Sequence, residues 1–545
     1  MPVVLTPTKN RPSNRASLDS LARSHVVASN SITYPRISVY CLRSTDVIII
    51  AARIDCWPFS DLVPASTCFM LRPSQREEGI RCIDSEPRKR RLSSMIQTLG
   101  QVSSPEQILQ RELERFTASA SREKEIAFRF DVERYWIDQP DSVNLLAACQ
   151  LSKQSDQIHI AVTLTVDSEA INVDIAQSNP TFRQLCERHT LPEIDLARPL
   201  RLGTVNIPKP WGQEIWYTGI ERRGVSTVEG IPLPWLLELY PAICAGRQRD
   251  LILLKILDPL PVAVQGDLYF EMHREKTEVY IVTHVDEGSW PGGIGKIRYG
   301  FDTAKISQFQ SDDEFRSAYL AAVQSYRSIR QRIDTELDGF RQQEGYGLSQ
   351  PIQADLLSRW LARLQPEWIE QEQKLRTEME AFTHMRDVKV GDVLRVQPFT
   401  PHALQHGVRT IEFQTPHYER QIISFAQKVL TQDHWDSIEA IEAMTIRAPL
   451  EADLPMISND AGVKVEGVAD FAQFRVHRLS LQPGASYRFD GTSYGLTIGV
   501  TGVCLVNGEH LIGEQAVLIP AHLPAATIEN SSADKATCLL AAPAG

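Results

Sequence analysis

The sequence predicts a mainly β protein carrying a helical insertion, with a small α+β segment ahead of it and a second β region at its C-terminal side. Three observations lead there. Residues 200–300 repeat short runs of β-branched and aromatic residues. Residues 311–385 switch to apolar positions at helical spacing. Residues 465–545 return to short strands punctuated by Pro483-Gly484, Asp490-Gly491 and Asn507-Gly508, the turn spacing of a β-sandwich or barrel. The 545 residues allow three or four domains at roughly 150 residues each. With 43% hydrophobic and 23% charged residues, the composition is that of an ordinary globular protein.

Residues 1–94 stand apart. They carry a net charge of +6, whereas the remainder carries −17 within an overall −11. They are rich in Ser and Arg, lack a sustained helix or strand period, and end in Arg88-Lys89-Arg90-Arg91. They read as a disordered or incidental extension, with Met95 as a natural start; an organelle transit peptide is the alternative, against which their Asp and Glu content counts. The longest apolar run, Val47 to Ala52, is far short of the roughly 18 residues of a membrane helix, so no membrane partner is expected. The acidic balance excludes a uniformly basic nucleic-acid binder. Nine cysteines without a CxxC spacing, five of them scattered beyond residue 94, suit free thiols in a reducing, cytoplasmic setting.

In chain order, Ser104 caps a helix over 105–118, and strands follow at Glu125–Phe130 and His159–Val166, closing a 95–200 segment. Extended runs are predicted at Leu251–Ile256, Val262–Gln265, Leu268–Met272 and Glu278–Thr283, with Gly292-Gly293 and Gly295 turning the chain. Behind the cap Ser311-Asp312-Asp313, helices are predicted over Asp312–Ile329, Leu356–Leu364 and Trp368–Met379. Strands resume at Val393–Val396 and Thr410–Gln414, and a helix covers His434–Glu442. The expected organisation is a 1–94 leader, a 95–200 α+β unit, a β core from 201–310 and 386–430 interrupted by the 311–385 helices, and a 431–545 β domain.

Two stretches carry chemistry. In Gln265 to Glu278, Glu271 and His273 sit two apart on a strand and face one side, and Glu278 can return to that side after a short turn. Imidazole and carboxylates converging in this way suit a divalent metal such as zinc, although charged strand faces are more often simply solvated. In Gly391 to Leu404, a glycine-led strand runs into a proline turn that presents His402. A lone histidine is ordinarily a satisfied structural residue. Following an E-x-H-x4-E element, however, it completes the two-motif pattern of a cupin (jelly-roll) barrel.

From about Leu202 onward the sequence resembles the type I phosphomannose isomerases. Lys209-Pro210-Trp211-Gly212 resembles the family's KPWG element, Leu253 to Asp258 its LLKILD strand, Lys276 to Tyr280 its K-x-E-x-W/Y element, and Pro401-His402-Ala403 its PHA element. Gly407 through Glu412, then Arg420, resembles the segment with the family's active-site arginine. The helical insertion and the C-terminal strands fall where the family has its helical and second cupin-like domains. Two departures stand out. The family's Q-V-H-P string is missing, its role falling either to Glu271 and His273 or to Gln265 and Asp267; and Phe399 occupies the place of a turn glycine.

The resemblance implies a metal-dependent interconversion of a small sugar phosphate, mannose 6-phosphate to fructose 6-phosphate, through an enediolate. It implies Glu271, His273, Glu278 and His402 around Zn2+ or another divalent metal, Arg420 stabilising the enediolate, and Lys276 contacting substrate oxygens or tuning the site. Lys276 and Arg420 are otherwise ordinary candidates for surface ion pairs. The general base is not identified; Lys255 and His406 read as structural residues, with participation in the site as the alternative. Two other readings share these residues: a non-catalytic cupin that binds a sugar or nucleotide-sugar, and a cupin dioxygenase, which leaves the KPWG and LLKILD strings without a role. The oligomeric state is open.

Overall fold

The protein is described from a computed structural model covering residues 37–44, 47–54, 95–134, 141–154, 157–221, 224–244, 251–447 and 453–544. It divides into two compact units, residues 1–89 and 90–545. In the first, Ile37–Ser44 and Val47–Ile54 pair as an antiparallel ribbon. This corrects the expectation of no strand in the leader: the Val47–Ala52 run, too short for a membrane, is strand-forming. The rest of the leader reading lies outside the described residues.

In the second unit, residues 97–195 build a five-stranded sheet flanked by helices. Pro105–Ala118 forms the predicted helix with Ser104 at its N-cap, although the Ser104 side chain makes no capping bond. The predicted strands run longer, as Glu123–Glu133 and Gln157–Val166, because Ser142–Gln154 pairs with both along its whole length. The helices Glu169–Ser178 and Phe182–His189 were not anticipated; the latter starts with a capping box between Thr181 and Gln184.

The centre of the unit is a pair of antiparallel sheets. One has six strands in the order Val393–Val396, Glu278–Val285, Val408–Gln414, Leu253–Pro259, Gly212–Trp216, Val205–Lys209. The other has five, Thr383–Val388, Gly295–Phe301, His402–Leu404, Phe270–Met272, Gln421–Ser424. A shared core including Trp211, Tyr280, Val282, Ile297, Tyr299, Leu394 and Ile422 fills the space between them. Neither sheet closes on itself; the two face each other across side chains as large as Trp211 and Tyr299.

Two further readings are corrected here. Val262–Gln265 is a turn, closed by the Gly266 N–H donating to Val262 O at 2.7 Å, with Val264 in the left-handed region at φ 69°. Its β-branched residues follow the strand-ending Pro259 and Pro261, and the chain must reverse there to bring Phe270–Met272 into the opposite sheet. For the same reason the second predicted strand begins only at Phe270.

The insertion is helical throughout, with helices Asp312–Gln343, Ala354–Leu361 and Pro366–Glu380. Ser311 caps the first, its hydroxyl accepting from Glu314 N at 3.2 Å, and three acidic residues in the first turn complement the helix dipole. Phe315, Tyr319, Val323, Tyr326, Ile329, Ile333 and Leu337 form its buried stripe. The stripe joins Phe270 and Met272, so it packs against the outer face of the five-stranded sheet.

A second pair of sheets, of nine and four strands, follows. The nine-stranded sheet takes in Leu200–Gly203, Thr227–Val228 and Ile231–Pro232 as well as the C-terminal strands. Its Leu539 and Ile498 share one core with Ile256 and Ile411 of the six-stranded sheet and Phe128 of the N-terminal sheet. Leu539 is fully buried at that junction. Replacing Leu539 by Ala is expected to lower unfolding stability by about 2–5 kcal/mol, read as a reduced urea midpoint with unchanged m-value.

Candidate metal centre and active site

The site lies on the inner faces of the central sheets, and strand alternation places it there. Phe270 and Met272 point out to the helical insertion, so Glu271 between them points in. Leu254, Ile256, Ile411, Phe413, Val279 and Ile281 point out to the large shared core, which turns Lys255, Glu412, Glu278 and Tyr280 inward. The register aligns Trp216, Lys255, Glu412 and Tyr280 in one row across four strands, and Glu271 faces His402 across the opposite sheet.

Glu271, His273 and His402 bring ligand atoms within 4.8 Å of one another. Glu278 joins them: its Oε2 is 3.3 Å from His273 Nε2 and 3.3 Å from His402 Nε2, and accepts from Tyr280 OH at 2.8 Å. His273 Nε2 also lies 3.9 Å from Glu271 Oε1. The i, i+2 placement of Glu271 and His273 and the return of Glu278 after its turn thus occur as the spacing predicted. Asp267 lies elsewhere, binding His406 Nδ1 at 2.6 Å, and Gln265 donates to Ser358 at 2.8 Å. The geometry therefore sets Glu271 and His273, rather than Gln265 and Asp267, beside His402.

Local backbone features hold the donors. The His402 Nδ1–H faces Thr400 O at 3.0 Å, which fixes the tautomer and leaves the Nε2 lone pair toward the cluster. Phe399 adopts φ 63°, so the turn keeps a glycine-like conformation without the glycine. Its N–H donates to His273 O at 2.6 Å, tying the two histidine-bearing segments together. Glu419 clamps the other side by accepting the Lys276 N–H at 3.2 Å.

Lys276 pairs with Glu278 through Oε1, inside the core. Burial alone would push the Glu278 carboxyl up, but Lys276, His273 and His402 together hold it well below the usual carboxylate range. Burial drives Glu412 the other way, and the neighbouring Glu278 charge adds to it; Lys255, 3.3 Å away, offsets this only in part, so Glu412 is well above the ordinary value. The two carboxyls are thus shifted in opposite directions. Burial and then Lys276 depress His273, which stays neutral. Lys255 continues the row to Glu214 at 3.7 Å, which pairs with Lys209 at 2.8 Å. Arg420 lies outside the donor group, 4.9 Å from the Tyr269 ring centre and donating to Thr431 at 3.0 Å. His406 is stacked on Trp290.

The donor set fits a divalent cation. Glu271 Oε2 and both His273 ring nitrogens are buried without a well-aligned hydrogen bond, and two imidazoles with two carboxylates are the hard-to-borderline donors zinc or manganese takes. Sequence reasoning did not single out Glu412 or Tyr280. The available signal was one polar residue at an inward position of an otherwise apolar strand, as in Thr410-Ile411-Glu412-Phe413.

Fold and site together define a mainly β chain with two paired-sheet regions, a helical insertion and a sealed carboxylate–imidazole centre. Among solved structures it is similar to the mannose 6-phosphate isomerase of Bacillus subtilis, with 17% identity and a TM-score of 0.45, covering 63% of this chain and 99% of that one. It is also similar to a point mutant of the phosphomannose isomerase of Salmonella typhimurium, with 11% identity and a TM-score of 0.44, covering 64% of this chain and 99% of that one. No family model and no curated protein matches the chain.

Removing the cation beside Glu278 would leave a buried carboxylate uncompensated. Lys276→Met is therefore expected to cost about 3–5 kcal/mol in urea unfolding. The depressed His273 gives a pH signature in chelated protein. Its folded value lies below the unfolded value of about 6.5, so its contribution is present above that pH and is lost as pH falls, because the unfolded chain takes up the proton first. Urea midpoints should drop on acidification below about pH 6.5, and less steeply in His273→Gln.

Proposed function

We propose that the protein is a metal-dependent aldose–ketose isomerase acting on a sugar phosphate, most specifically on mannose 6-phosphate to give fructose 6-phosphate. The observation that carries this reading is the convergence of Glu271, His273, Glu278 and His402 beside the buried Glu412 and two buried lysines. It is supported by the KPWG, LLKILD, K-x-E and PHA strings, which fall in family order. On this reading the two β regions are cupin-like domains, with the first catalytic.

Glu271, His273, Glu278 and His402 would hold the metal, which when bound would polarise the substrate's C1 and C2 oxygens. Lys276 keeps Glu278 ionised and so keeps it a donor. Glu412 is the group this chain offers for proton transfer between C2 and C1. Burial and the neighbouring Glu278 push its carboxyl up, while Lys255 at 3.3 Å stabilises the carboxylate form, which would take the C2 proton and return it to C1. Arg420, the family-like arginine, would approach the negative charge that develops on the substrate.

A coupled assay of mannose 6-phosphate conversion tests the reading. Turnover should vanish on chelation and return with Zn2+ or Mn2+. Glu412→Gln should lower kcat about 10²–10⁴-fold with metal content unchanged, and His402→Ala should lose the metal. Absence of turnover after metal is restored would refute the isomerase. A protein that neither contains nor takes up zinc, iron or manganese would instead point to the non-catalytic cupin.

A further inference from the structure

A sizeable cavity lies away from the metal centre. It has a volume of about 600 Å³ and lies between the helical insertion and the segments on either side of the central sheets, around Gln265 and Gln427. No residue of the carboxylate–imidazole cluster lines it. Its size falls within the range of small-molecule sites.

One wall is apolar, formed by Ile333, Leu337, Leu357 and Trp360. Four cations also reach the cavity, and three of them are already engaged. Arg330 holds Asp334 at 2.9 Å and Ala426 O at 3.2 Å. Arg341 donates to Gly347 O at 3.3 Å and to Gln350 O. Lys428 holds both oxygens of Asp338 at 2.7 Å. Arg376 differs. Its Nε meets Glu372 Oε1 at a long 3.3 Å, and that oxygen already accepts the Tyr326 hydroxyl at 2.8 Å. The Nη edge of Arg376 makes no hydrogen bond among the described residues, yet the side chain is mostly removed from water at 17% exposure. Of the lining carboxylates, Glu372 is the one just described and Glu370 lies at the exposed rim; Glu380 and Asp267, with which Arg376 also lines a smaller neighbouring cavity, act on the same guanidinium but are engaged by Arg298 and His406. Opposite, Gln265 Oε1 is buried without a partner, while its Nε2 is used on Ser358.

A planar guanidinium edge in a partly dry, apolar cavity matches a carboxylate bidentately, and an orphaned amide oxygen calls for a donor. We propose that this cavity is a second binding site, separate from the metal centre, for an apolar carboxylic acid that also carries a hydroxyl. The carboxylate sits on the Nη edge of Arg376, the hydroxyl donates to Gln265 Oε1, and the hydrocarbon lies against Leu337, Leu357 and Trp360.

Calorimetric titration of the full chain with ω-hydroxydodecanoate, and with neutral dodecanediol as its counterpart, tests this. The acid should bind saturably and at least about tenfold more tightly than the diol, the margin expected of a charge-assisted hydrogen bond. Arg376→Met should abolish the preference while leaving diol binding intact, and Leu357→Trp, which fills the cavity, should remove both. His402→Ala should leave acid binding unchanged, so the result is independent of the isomerase reading. No saturable binding of the acid, equal affinity for acid and diol, or a preference that survives in Arg376→Met would overturn the proposal. Should Leu357→Trp fail to fold, the acid-to-diol ratio in Arg376→Met still decides.

Discussion

An ionised carboxylate sealed between two β-sheets is the constraint on which the centre of this molecule depends. Glu278 is almost entirely buried, a position whose desolvation penalty would ordinarily neutralise it. It stays charged because a lysine two residues earlier, two imidazoles from separate segments and a tyrosine two residues later converge on its oxygens. Lys276 and Tyr280 come from its own stretch of chain and the imidazoles from two other segments, so the charge survives only if the registers of both sheets are correct. A one-residue slip of Glu278–Val285 would turn Glu278 and Tyr280 into the apolar core behind them. The electrostatics of the site and the pairing of the strands are therefore one requirement.

The helical insertion answers the same alternation from outside. Phe270 and Met272 enter the core beneath Phe315 and Tyr319, and Glu271 between them is thereby pressed toward His402. A helix of 32 residues over a three-residue strand gives rigidity that the strand alone lacks. Phe399, in the left-handed region, is held there by bonds to His273 O and from Thr445 N. Neighbouring backbone supplies at that turn what a glycine would supply through its own freedom.

Local pattern made much of this legible. Period two placed Glu271 and His273 on one face, and apolar spacing located all three insertion helices, although the first continues through Ile333, Leu337 and Phe340 beyond its predicted end. What escaped was non-local. Glu412 looks like a stray polar residue until the register sets it beside Lys255 and Tyr280. Val262–Gln265 has strand composition, but the need to cross from one sheet to the other overrides it. The pairing of Arg201 with Val517 links positions that no local window can connect. Asp267 had the right chemistry for a ligand, and only the fold shows it committed to His406.

That last pairing has a consequence for how the chain comes into being. Leu200–Gly203 forms hydrogen bonds with Ala516–Ile519, and Arg201 also reaches Gln515 at 2.9 Å. Contacts so distant along the chain form slowly. A nascent chain that has left the ribosome only as far as the insertion helices has the early strand but not this neighbour, and the exposed edge must wait until Ala516–Ile519 has been made. Completion of the nine-stranded sheet is thus a late event, since one edge of Leu200–Gly203 stays open until the chain has been made through Ile519.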